Sequence, residues 1–124
     1  MSLLALLDDG ARFDAEYRNG LSNHLPMALL ALRRLGADGA RLEAFAARYA
    51  KRLEPAPAAV AWPAGDGWPE RLGEREAWPA YRSLFGEWLA HESADTVLQQ
   101  ALPVLAPGCG AAAFHGLIRT AYAV

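Results

Sequence analysis

The sequence predicts an all-α protein, an orthogonal bundle of about five to six helices with one long loop rich in proline and tryptophan. Alanine and leucine dominate the chain and β-branched residues are scarce, which favours helix over strand. Apolar residues recur at three- and four-residue spacings, and no alternating strand pattern of useful length is present. With 124 residues, of which 53% are hydrophobic, the chain can build one helical domain over residues 1–124.

The N-terminal part of the chain predicts two short helices. The first runs from Ser2 to about Leu7 and is almost entirely apolar. A second is expected around residues 11–17, ended by Asn19-Gly20, because this dipeptide is a turn signal.

Two longer helices follow. The stretch LPMALLALRRL starts after Ser22 or Asn23, either of which can cap it, and Pro26 suits its first turn. Gly36 can take the left-handed conformation that ends it. The next helix covers about residues 40–53 with Asp38 as its cap, and its apolar residues form one stripe: Leu42, Phe45, Ala46, Tyr49 and Leu53.

Residues 54–73 form the long loop, with four prolines and three glycines. Its Trp62 and Trp68 predict that it packs onto the rest of the protein, since a flexible linker is usually polar. A helix over about residues 76–91 then carries an aromatic face, followed by a helix from near Ser93 that Pro103 should kink or end. The last helix starts at about Cys109.

Composition excludes several classes of function. The net charge is −2 and Lys51 is the single lysine, so the chain has no basic surface for nucleic acid. The opening MSLLALLDDG is too short for a signal peptide or a membrane span, which predicts a cytoplasmic protein that does not act at a membrane. One cysteine excludes an internal disulfide, and Cys109 is interpreted as a small helix-start residue.

Two of the three histidines are candidates for chemistry. His24 lies at a helix N-terminus, where the dipole disfavours the imidazolium and so favours the neutral form that binds metal. The alternative is a residue that only helps to start the helix. His91, at the end of the aromatic helix, is interpreted as a solvated helix-end residue.

The last helix carries a polar face inside an apolar sequence. His115, Arg119 and Tyr122 share that face, and we expect the helix to be largely buried with His115 in its middle. Buried polar groups need partners. The face therefore predicts either an interior polar pocket or a satisfied core histidine beside an Arg119–carboxylate pair with Glu16 or Asp14.

Three stretches together resemble the N-terminal part of questin oxidase-like proteins: RFDAEYRNGLSNHLPMALLALRRLGA, RYAKRLEP and AAAFHGLIRTAYAV. The resemblance implies a helical oxidoreductase that oxidises an aromatic polyketide or quinone by a Baeyer–Villiger-like or oxygenase-type reaction. It further implies non-haem iron or another divalent metal as cofactor, or NADPH. His24 and His115 would then be metal ligands, and Arg119 and Tyr122 would be catalytic residues that face the substrate.

Family members are longer than this chain, so we expect an N-terminal portion whose last helix has no ending signal. An exposed apolar face on such a portion predicts a homo-oligomer. Two alternatives to the enzyme stay open, a non-catalytic interaction or structural module and a small-molecule-binding domain. In the second, the aromatic face would line the pocket: Trp78, Tyr81, Phe85 and Trp88.

Overall fold

The computed structural model describes residues 1–124 and confirms the all-α class, with six α-helices and one small β-hairpin. The chain packs as two compact units, residues Met1–Ala56 with Gly110–Val124 and residues Pro57–Cys109. The single helical domain over residues 1–124 stays a prediction. Every helix falls short of the length and hydropathy needed to cross a bilayer.

The first unit contains four helices, α1 (Leu3–Gly10), α2 (Leu25–Arg34), α3 (Gly39–Ala50) and α6 (His115–Ala123). Helix α2 packs against the other three. Asp38 caps α3 as predicted, because its carboxylate accepts a hydrogen bond from the Arg41 amide at 2.8 Å. Gly36 follows α2 with a φ of 91°, which confirms the left-handed residue expected there.

The core of this unit lies where α1, α2 and α3 meet. It is built from aliphatic side chains that are almost completely buried: Leu6, Leu25, Leu29, Ala37 and Leu42. The apolar stripe predicted for α3 packs against this core through Phe45, Ala46, Tyr49 and Leu53. The start of α2 is therefore held firmly, because Leu25, its first residue, is only 2% exposed.

The short helix predicted around residues 11–17 is wrong. Strands β1 (Glu16–Tyr17) and β2 (Leu21–Ser22) instead form an antiparallel hairpin. Arg18 and Asn19 take φ values of 48° and 58° in its turn, so the turn signal was correct but belongs to a hairpin. The Arg18 amide donates a 3.0 Å hydrogen bond to the Glu54 carboxylate, a contact across 36 residues that no local pattern contains.

The second unit consists of the long loop, α4 (Trp78–His91) and α5 (Ala94–Leu105). The loop tryptophans pack onto α4 as predicted, with Trp62 against Tyr81 at 4.7 Å between ring centroids and Trp68 against Phe85 at 5.5 Å. The hydroxyl of Tyr81 also donates to the carbonyl oxygen of Trp68. Ser93 caps α5, and Pro103 lies inside it, two residues before its end.

The last helix differs from its prediction in both start and burial. Ala112, Ala113 and Phe114 take positive φ values between 49° and 65°, a left-handed conformation that interrupts the expected helix. Helix α6 therefore begins at His115, which lies at the helix start and not in its middle. None of its residues is fully buried, and Leu117 is 51% exposed. The expectation of a largely buried helix is wrong, because α6 packs with only one face on α2.

Candidate functional site

The site is organised by Asn23, the one polar residue that is buried, at 1% exposure. Its side-chain amide donates to the Asp14 carbonyl oxygen at 2.9 Å, and its side-chain oxygen accepts from the Leu25 amide at 2.9 Å. Its backbone amide donates to the carbonyl oxygen of Ala15 at 2.8 Å. Asn23 thus fixes the segment before the hairpin and the first turn of α2 to each other, and satisfies a free N–H of that turn.

His24 follows directly and forms the N-terminal boundary of α2. Its backbone amide donates to the hydroxyl of Tyr49 on α3 at 3.1 Å, while its imidazole is exposed. Burial raises the pKa of Tyr49 above its usual value of 10.0, and a hydrogen bond with Tyr17 acts in the same direction. The Tyr49 hydroxyl therefore stays protonated and in place over the working pH range of most proteins.

His115 is presented by the left-handed segment before α6. Its Nδ1 atom lies 2.6 Å from the carbonyl oxygen of Ala112, which can only accept a hydrogen bond, so Nδ1 carries a proton. This carbonyl oxygen belongs to the segment of positive φ values. The unusual backbone therefore sets both the position and the tautomer of the imidazole.

The structure brings the two candidate histidines into direct contact. The Nε2 atom of His24 lies 2.9 Å from the Nε2 atom of His115, and the ring centroids are 4.8 Å apart in an edge-on arrangement. A hydrogen bond at this distance needs one protonated and one unprotonated nitrogen. Since Nδ1 of His115 is a donor, the neutral pair has the proton on Nε2 of His24 and the lone pair on Nε2 of His115.

Arg119 lies one helical turn after His115 and reaches the same place. Its guanidinium donates to the carbonyl oxygen of Asn23 at 3.2 Å, one residue before His24. The side chain is half-buried, and the loss of water around it lowers its pKa. The alternative that pairs Arg119 with Glu16 or Asp14 is wrong, because its partner is a backbone carbonyl group and not a carboxylate.

Tyr122 lies on α6 three residues after Arg119 and is half-buried. The guanidinium of Arg34 on α2 lies 5.9 Å from its ring centroid, which is within cation–π range. Its ring thus contacts the C-terminal end of α2, whereas the histidine pair lies at the N-terminal end. The catalytic role expected for Arg119 and Tyr122 stays a prediction.

The remaining candidates lie elsewhere. His91 is exposed at the end of α4, where its Nδ1 contacts the Glu87 carbonyl oxygen at 2.8 Å, as expected of a helix-end residue. Cys109 is exposed. Trp62 and Trp68 from the loop pack on Tyr81, Phe85 and Trp88 of α4, whereas Trp78 is 39% exposed, so a ligand pocket along this face stays a prediction.

The histidine pair offers two imidazole nitrogens as candidate ligands of a metal ion. In the hydrogen-bonded pair Nε2 of His24 carries a proton, which must leave before both Nε2 atoms can bind one ion. The Nδ1–carbonyl contact of His115 is the support that metal-binding histidines usually have. Catalytic metal sites commonly use three protein ligands, and the chain has no group of three or more His, Cys, Asp or Glu side chains that could hold a metal. The chain's own residues therefore do not assemble a complete three-ligand site.

The comparison with protein families matches residues 21–124 to the model described as questin oxidase-like. The chain belongs to the questin oxidase-like family. The matched region includes the whole segment from Asn23 to the end of α6, and thus both histidines and Arg119. No curated protein and no solved structure matches the chain.

Sequence reasoning missed two residues of this site. Asn23 was expected only as a possible helix cap, and its contacts to Asp14 and Ala15 depend on the hairpin. Tyr49 was expected only as part of the apolar stripe of α3. The signal for Tyr49 was its hydroxyl, because a buried tyrosine needs a hydrogen-bond partner.

Proposed function

We propose that this chain carries the histidine-pair part of an oxidoreductase of questin oxidase type that acts on an aromatic polyketide or quinone. The observation that carries the proposal is the 2.9 Å contact between the Nε2 atoms of His24 and His115, inside the region that matches the family. His24 is exposed and His115 is half-buried, and a polar contact between such side chains contributes little to stability, which favours a functional role over a structural one.

The roles of the residues follow from the geometry. His24 and His115 hold one proton between two nitrogens and can receive or release a proton at a bound substrate. Asn23 and Tyr49 fix the backbone of His24, and Ala112 fixes the ring of His115. If the shared proton leaves the pair, His24 and His115 would hold a non-haem iron or another divalent ion, which would supply oxygen activation, with NADPH as the reductant.

The first experiment measures metal content. The purified wild-type chain, a His24→Ala/His115→Ala double variant and a His91→Ala control are equilibrated with iron(II), manganese(II) or zinc(II) and analysed by mass spectrometry. We expect metal on the wild type and the control and its loss from the double variant. Equal metal in all three proteins would refute a site at the pair, since His91 is exposed in the other unit.

The second experiment measures turnover. Oxygen consumption is followed with a hydroxylated anthraquinone, with and without NADPH, for the same three proteins. Consumption that depends on both His24 and His115 supports the oxidoreductase. Metal binding without oxygen consumption would favour a metal-dependent binding module. If the wild type neither binds metal nor consumes oxygen, the non-catalytic helical module would be favoured.

A further inference from the structure

Arg119 is a cation that the folded chain leaves without a counter-charge. Its guanidinium has five N–H donors, and the hydrogen bond that it forms is donated to the neutral carbonyl group of Asn23 at 3.2 Å. It takes no part in the ion pairs Met1–Glu43, Arg12–Asp9 and Arg71–Glu74. A half-buried charge that has lost water without gaining an opposite charge is costly, and a bound anion offsets part of that cost.

The surroundings of Arg119 add positive potential. Helix α2 has ten residues and starts at Leu25, and α6 has nine residues and starts at His115. The N-termini of both helices therefore lie at the histidine pair. Each N-terminus carries about half a positive charge, which favours an anion. The two helices supply the field, and the planar guanidinium supplies directed hydrogen bonds that suit a carboxylate or an ionised phenol.

Arg119 lies close to the histidine pair. The residue lies one helical turn from His115 on the same face of α6, and it is bonded to the residue before His24. A group bound by the guanidinium would thus lie near the backbone of His24 and within one helical turn of His115.

From this arrangement we propose that Arg119 binds an anionic oxygen of the substrate, a carboxylate or an ionised phenol, and so selects acidic aromatic ligands for the histidine pair. This role of Arg119 rests on the proposed function in one respect, namely that the bound anion is a substrate. Anion binding itself depends on Arg119 and not on a metal.

The test uses ¹⁵N-labelled protein and two probes of nearly the same shape, 2-hydroxybenzoate and its neutral analogue 2-hydroxybenzamide. Binding is measured from the amide chemical shifts of residues 23–25 and 115–119. We expect the anion to shift these signals and to bind about tenfold or more tightly than the amide, the factor that a charge-assisted hydrogen bond contributes.

Variants assign the binding to the guanidinium. Arg119→Gln should weaken the benzoate about tenfold or more and leave the amide unchanged, whereas Arg119→Lys should restore part of the affinity. Arg41→Gln, at an exposed position of α3, should bind like the wild type. Equal binding of both probes to the wild type, or full benzoate affinity in a folded Arg119→Gln protein, would overturn the inference.

The double variant separates this inference from the proposed function. His24→Ala/His115→Ala should lose metal and still bind the benzoate, because Arg119 and Asn23 are unchanged. Metal binding at the pair without selectivity for the anion would overturn the role of Arg119 alone. Selectivity for the anion without metal or turnover would overturn the oxidoreductase alone.

Discussion

Replacing Asn23 with alanine should destabilise the first unit more than any other single polar substitution at its surface or core. The substitution removes two side-chain hydrogen bonds of 2.9 Å, one to the Asp14 carbonyl oxygen and one from the Leu25 amide. Each bond contributes about 1 kcal/mol net. The Leu25 amide belongs to a residue that is 2% exposed, so its unmet N–H adds about 1 kcal/mol more.

The expected loss is therefore about 3 kcal/mol of the free energy of unfolding, or roughly 10 °C in Tm for a chain of this size. Urea unfolding followed by far-ultraviolet circular dichroism measures it. Asn23→Asp keeps an oxygen that can accept from the Leu25 amide, but it puts a carboxylate oxygen against the Asp14 carbonyl oxygen in a buried place, so it should not recover the stability of the wild type. Gln100→Ala, an exposed amide on α5, should stay within about 0.5 kcal/mol of the wild type.

Amide hydrogen exchange localises the effect. In the Asn23→Ala protein the Leu25 amide should exchange faster, because its acceptor is gone. An alanine variant within about 0.5 kcal/mol of the wild type would show that water satisfies both groups at no cost. The view of Asn23 as the organiser of the site would then be wrong.

Three further predictions concern backbone strain, pH and association. Ala113→Gly should stabilise the protein by about 0.5–1 kcal/mol because φ is 51° there, whereas Ala44→Gly inside α3 should destabilise it by a similar amount. If both variants shifted Tm in the same direction, the left-handed segment would be contradicted. Burial raises the pKa values of Tyr49 and Tyr81, so the folded chain keeps protons that the unfolded chain releases, and the free energy of unfolding should fall as pH rises above about 10. If a Tyr49→Phe/Tyr81→Phe protein lost stability with pH as steeply as the wild type, these tyrosines would not be the cause. We propose that a second copy of the chain covers Leu117 and Ile118, which are 51% and 41% exposed. Light scattering should then detect a homo-oligomer that Leu117→Asp disrupts and Leu72→Asp does not, and a monomeric wild type would rule out this interface.

Local patterns predicted those parts of the fold that local interactions determine. Asp38, Gly36 and Ser93 mark helix ends in the sequence because each acts on backbone groups within a few residues. The hairpin was missed because its turn is held by Glu54, far along the chain. The start of α6 was missed because alanine normally favours a right-handed helix, whereas Ala112 and Ala113 take left-handed φ values here.

The candidate site was predictable in its members but not in its geometry. A helix N-terminus, a polar helix face and a family resemblance indicated His24 and His115. None of these signals predicts the distance between the two side chains. Their contact depends on how α6 packs on α2 and on the bend before His115. A pair between Arg119 and an acid was one of the two alternatives for this face, and the bond of Arg119 to a carbonyl group could not be seen without the packing of the helices.

The proline-rich loop of the second unit has a thermodynamic consequence. Its tryptophans must hold a long segment in place with few regular backbone hydrogen bonds, and such a segment normally loses much conformational entropy on folding. Each proline already restricts the unfolded chain, which is worth about 0.4–1 kcal/mol where the native backbone accepts it. Pro57, Pro63 and Pro69 thus lower the entropy that the loop loses, and the ring contacts on α4 need to offset less.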